Sequence, residues 1–115
     1  MRCERLDVWK RACRLSVNIY KAFANCKDYG FKDQITRSSL SIGSNIAEGM
    51  EKESDKDKNR FINIAQGSTA ELITQTYIGI EIEYIPKDVG MLWIKEANEI
   101  LRMLNSLKKS YEKTV

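Results

Sequence analysis

Histidine is absent from the 115-residue sequence. That removes the commonest general base, the usual metal ligand and the usual partner of a nucleophilic serine or cysteine. Proline occurs once, as Pro86, so little in the chain interrupts a helix. Cysteine is sparse: Cys3, Cys13 and Cys26 are odd in number and lack metal-type spacing, which suits reduced thiols in a cytosol. No apolar run approaches the roughly 20 residues that span a bilayer. The N-terminal stretch MRCERLDVWKRACR is charged throughout and has no signal-peptide core. There is no phosphate loop, and the carboxylates Glu48, Glu71, Glu81 and Glu83 do not form the Glu-x-x-His pattern of a di-metal bundle. The expectation is a cytoplasmic protein, not an enzyme, with no catalytic residues, metal, cofactor or membrane partner. Charge is nearly balanced, with 19 basic against 16 acidic residues and a net +3, a weak pull toward nucleic acid.

What the sequence does have is helical periodicity. With 43% hydrophobic and 30% charged residues, it suits one globular domain over residues 1–115. Apolar residues recur at steps of three and four in segments 6–26, 32–49, 55–84 and 88–112. Leu6, Trp9, Cys13, Val17 and Tyr20 form the first core stripe, and Phe31, Ile35, Ile42 and Ile46 the second. The third runs Phe61, Ile64, Ala65, Ser68, Leu72, Gln75, Gly79 and Ile82, and the fourth from Trp93 through Ile100 and Leu104 to Tyr111. Gly30 and Gly49 are expected at helix stops, Ser54 and Asp88 as N-caps, and Pro86 at the end of the third helix. Short connections predict an all-α, antiparallel, up-down-up-down four-helix bundle.

Two helices carry more apolar surface than a monomer's core needs. Val8, Leu15 and Ile19 lie off the first stripe, and Ile62, Ile73 and Ile80 form a second seam on the third helix. Apolar seams at helical spacing are usually covered, so these six are the expected oligomer interface. The second helix is rich in Ser and Gly, which supply little burial of their own and leave it dependent on packing. Arg37, Asn45 and Glu48 lie on its polar side. With Glu71 as a partner for Arg37, they are expected to form a polar seam that sets register or subunit orientation.

The run DQITRSSLSIGSNIAEG (Asp33 to Gly49), followed by RFINIAQGSTAEL (Arg60 to Leu72), resembles the 23S rRNA intervening-sequence protein family, also called the S23 ribosomal protein family. The opening LDVWKRA and the closing EILRMLNSLKKS extend the likeness over nearly the whole chain. The resemblance implies an antiparallel four-helix bundle assembled as a ring, typically a homopentamer, without catalytic residues or cofactor. A related branch, the accessory proteins of diversity-generating retroelements, forms basic pentameric barrels that bind nucleic acid and a reverse transcriptase. This chain departs from that branch in being only mildly basic. The positions matching the family pattern are Asp33, Gln34, Ser38, Asn45, Glu48, Gly49, Ala65, Ser68, Glu71 and Leu72, with packing and assembly as the implied roles.

A basic stripe on the first helix supplies the candidate nucleic-acid surface. Lys10, Arg14 and Lys21 fall within about 40° of one another at 100° per residue, and Arg11 lies nearby. Repeated around an oligomer, such a stripe would bind RNA or DNA through phosphates. The alternative is a protein-interaction scaffold with no nucleic-acid role.

Overall fold

The computed structural model describes residues 1–112. A 3₁₀ turn, Arg2–Arg5, leads into four helices: α1, Asp7–Ala22; α2, Tyr29–Met50; α3, Asp55–Glu81; and α4, Lys87–Ser110. Each helix packs against two neighbours in the cyclic order α1, α2, α3, α4. The result is the antiparallel four-helix bundle the periodicity calls for, an elongated body of 50 × 21 × 21 Å. The α2–α3 seam is the most extensive and the α1–α4 seam the slightest.

Local chemistry sets the helix ends. Asp28 caps α2 by accepting a hydrogen bond from the Phe31 amide at 3.1 Å, and Ser54 caps α3 by accepting one from the Asp57 amide at 3.1 Å. Gly30 does not stop a helix; it lies in the first turn of α2, two residues past the Asp28 cap. Gly49 also lies inside α2, and no described glycine has a positive φ. Its role is proximity: a Cβ there would stand 2.9 Å from Phe61 Cβ and 3.2 Å from the Lys58 carbonyl oxygen, so only hydrogen lets α3 cross this closely. Pro86, not Asp88, occupies the N-cap position of α4, with Asp88 in the favourable first turn. The α3 terminus is closed upstream of the proline. Glu83 sits at φ 67°, while the Tyr84 amide bonds the Gly79 carbonyl at 2.9 Å and the Glu83 amide bonds that of Ile80 at 3.0 Å. This is a Schellman ending with glutamate where glycine is usual.

The core is built from aliphatic side chains, with Ile19, Ile35, Ile42, Ile46, Ile62, Leu72, Ile100 and Leu104 fully buried. Each such side chain contributes about 1.5–3 kcal/mol. On α1 the buried face is Val8, Ala12, Leu15, Ser16 and Ile19, the reverse of the expected stripe. Val8, Leu15, Ile19 and Ile62 are therefore not a subunit interface but part of the chain's own core. Ile73 and Ile80 are half-buried against that core, Ile80 lying over Gly90. The signal that distinguishes the two faces is charge: Asp7, Lys10, Arg11, Arg14 and Lys21 cluster on the side opposite Ala12 and Ile19. Ile64 and Ile82, expected in the core, are exposed.

Two substitutions separate these backbone roles. Gly49→Ala should destabilise the fold by about 1–3 kcal/mol through the forced clash with α3. Glu83→Gly should stabilise it by about 1 kcal/mol by relieving the left-handed strain. Denaturant unfolding followed by circular dichroism measures both, and equal effects of the same sign would refute the assignment.

Candidate functional site

The displaced α1 stripe opens onto a groove. Trp9, Cys13, Val17 and Tyr20 form one wall, Leu40 of α2 stands opposite, and Gly43, Ser44 and Ala47 make a floor of small residues. The groove encloses about 520 Å³ and is overwhelmingly apolar. At Gly43 the helices are in contact, since a Cβ there would touch Cys13 Sγ at 3.4 Å; the open space lies beside it, where Ser44 and Ala47 offer α1 little side-chain volume. Val17 remains 40% exposed, Tyr20 43% and Leu40 52%. Burial pushes the Cys3 and Cys13 thiols above their ordinary pKa, so neither is an activated thiolate.

The four basic residues expected on one stripe do not share one fate. Arg11 turns toward α4 and forms a two-pronged pair with Glu96, Nε to Oε2 at 2.8 Å and Nη2 to Oε1 at 2.6 Å. Glu99 stands 4.0 Å away and also pairs with Arg102. Arg11 is thus committed to the α1–α4 seam and is withdrawn from the nucleic-acid surface. Lys10, Arg14 and Lys21 are exposed and have no ion pair among the described residues. Lys21 reaches the groove rim, whereas Arg14 borders a smaller cleft between α1 and α4 with Asn18 and Leu92.

The expected polar seam is redrawn as well. Arg37 pairs with Asp33 on its own helix at 2.9 Å, not with Glu71. Glu48 and Glu71 are exposed, and neither forms an ion pair among the described residues. Hydroxyls tie α2 to α3 instead: Ser38 Oγ donates to Gln75 Oε1 at 2.5 Å, and the Ser41 and Ser68 hydroxyls meet at 2.8 Å. Asn45 joins by donating from Nδ2 to the Ser41 carbonyl at 2.8 Å and hydroxyl at 2.9 Å. On the α1 side, the Ser16 and Ser39 hydroxyls lie 3.1 Å apart. Sequence periodicity shows where serines lie, but a hydroxyl's partner depends on interhelical distance, which only the packed structure provides. No cluster of three or more potential metal-ligating side chains occurs among the described residues. No described helix is long and apolar enough to cross a membrane.

Residues 4–106 match the model of the 23S rRNA-intervening sequence protein family. The chain is similar to a protein of unknown function from the S23 ribosomal protein family of Bacteroides thetaiotaomicron, known from a crystal structure. The two are 30% identical, the match covers 89% of this chain and 98% of that one, and the TM-score is 0.83. No curated protein matches.

The Arg11–Glu96 pair makes the α1–α4 seam sensitive to acid. The hydrogen bonds from Arg11 hold the Glu96 carboxyl below its ordinary range. Its stabilisation is therefore present above the unfolded-state pKa and lost as pH falls through the lower folded value. Glu96→Gln should be less stable than the parent near neutrality, and the gap should narrow on acidification. A gap constant from neutral to acid pH in thermal unfolding would refute this role.

Proposed function

The chain belongs to the 23S rRNA-intervening sequence protein family, and from that premise we propose that it is a non-enzymatic, cytoplasmic helical bundle that self-assembles and binds nucleic acid through phosphates. The observation that carries this reading is the pairing of an open apolar groove with the exposed cations Lys10, Arg14 and Lys21, which have no ion pair among the described residues. An uncovered apolar groove favours association of copies. The family resemblance favours a ring of five. In such a ring the Lys10 and Arg14 side chains recur around the axis, so modest attraction per subunit multiplies. The unpaired thiols of Cys3, Cys13 and Cys26 suit a reducing cytoplasm.

Phosphate contact is the chemistry these residues support. Lys10 and Arg14 are two cations one turn apart, a set that supplies charge for phosphates rather than a pattern of base-edge contacts. The tryptophans are not on the basic stripe: Trp93 is buried beside Phe23, with ring centroids 6.3 Å apart, and Trp9 lines the groove, while the exposed Tyr29 and Tyr77 lie on α2 and α3, away from Lys10 and Arg14. Binding is thus largely independent of sequence and steeply dependent on salt.

The test is a titration with single- and double-stranded RNA and DNA at low and moderate salt. The parent should bind at low salt and weaken sharply as salt rises. Lys10→Gln with Arg14→Gln should lower low-salt affinity about tenfold or more and flatten the salt slope. Arg11→Gln should leave the slope unchanged. Absence of binding at low salt would contradict the nucleic-acid reading and favour a protein-interaction scaffold. Tight, salt-insensitive binding that survives the double substitution would contradict phosphate contact.

A further inference from the structure

The α1–α4 seam, the slightest in the bundle, leaves its own cleft of about 290 Å³, enough for one nucleobase. Buried Leu15 and Trp93 and half-buried Val89 form its floor. Arg14 and Asn18 border it on α1, and Leu92, 67% exposed, borders it on α4. Cations stand on both banks. Arg14 is on α1, with Lys10 one turn before it, and Lys95 is on α4, three residues past Leu92. All three are exposed and have no ion pair among the described residues. Glu96 also lines the cleft, but both its oxygens are taken by Arg11, and Glu99 is held by Arg102. The remaining carboxylates of the two helices are Asp7 and Asp88, at opposite ends of the seam, Asp88 one turn before Leu92.

We propose that this cleft receives one unstacked base of a single-stranded nucleic acid, whose phosphates run from Lys10 and Arg14 across to Lys95. The proposal rests on the phosphate contact argued above and names the substrate class of that surface. A base entering the cleft needs an apolar surface for its face and a polar group for its edge. Leu92, with Trp93 beneath, supplies the first, and Asn18 the second. The Asn18 carboxamide offers two donors and one acceptor, so it meets the edge of any base and selects no sequence. In a duplex the bases are stacked inside and cannot enter without being flipped out, so the cleft favours an unpaired strand. Unpaired cations on both banks suit a polyanion crossing the seam, whereas a peptide side chain seated on Leu92 would leave them without a partner.

The test separates base from phosphate. Fluorescence anisotropy compares an oligothymidylate strand with a strand of equal length whose nucleotides are abasic, so that the phosphates are the same. The parent should bind the base-bearing strand about fivefold tighter, with the same salt slope for both. Leu92→Ala and Asn18→Ala lie on the surface, and circular dichroism checks that they remain helical. Each should reduce the preference for the base-bearing strand and leave the slope unchanged. Lys95→Gln should lower the slope by about 0.7, one contact's worth on a single strand. Equal binding of the two strands by the parent would overturn the inference while phosphate contact stands, and so would a preference that survives both substitutions. An unchanged slope in Lys95→Gln would overturn the crossing to α4. Failure of every strand to bind at low salt would instead overturn the underlying reading of nucleic-acid binding.

Discussion

The small side chains of α2 determine how near its neighbours can come, and they act differently on its two sides. Toward α3, Gly49 admits Phe61 and the Lys58 backbone, and the Ser38, Ser41 and Ser68 hydroxyls bond across the narrowed gap. Toward α1, Cys13 covers Gly43, but the space beside it over Ser44 and Ala47 is not filled and becomes the groove. Close packing on one side and a void on the other follow from the same choice of residues, because a helix poor in side-chain volume must either be approached or leave space. The tight α2–α3 seam then anchors the bundle, and α1 is the helix left with an apolar face uncovered.

Because α1 is held less extensively, its attachment relies more on polar links. Arg11 reaches Glu96 across the α4 seam, and at the N-terminus the Arg2 guanidinium donates to the Met50 carbonyl at 3.3 Å and the Lys52 carbonyl at 3.4 Å. The Met50 contact places a cation at the carbonyl end of α2, where the helix dipole favours it. At the opposite end, Tyr84 donates to Asp28 at 2.7 Å and packs edge-on against Phe31, joining the α1–α2 turn to the α3–α4 turn. The hydrogen bond from Tyr84 and that from the Phe31 amide hold the Asp28 carboxyl below its ordinary range.

Much of this fold was legible in the sequence. Ser54 marks the start of α3, and Ile35, Ile42 and Ile46 mark the buried face of α2, because capping and period depend on neighbours in the chain. The choice between the two apolar faces of α1 was not legible from periodicity, since Trp9–Cys13–Val17–Tyr20 and Val8–Ala12–Leu15–Ile19 both advance by steps of three and four. The position of the charges opposite the second set carried that information. Gly49 was misread because a glycine near a helix end signals a left-handed turn or a close approach equally well. Arg11 looked like a member of the basic stripe because its partner, Glu96, lies 85 residues away in sequence. The groove could not be read at all, because it is made by residues that are missing volume on one helix and surplus on another.

The account stands or falls on whether the α1 face left bare in one chain is covered by another. Sedimentation velocity of the unmodified protein across a wide concentration range addresses this most directly. The account predicts one discrete boundary at a small multiple of the 13.3 kDa chain mass, with dissociation only on strong dilution. A single boundary at the chain mass at every concentration would contradict it.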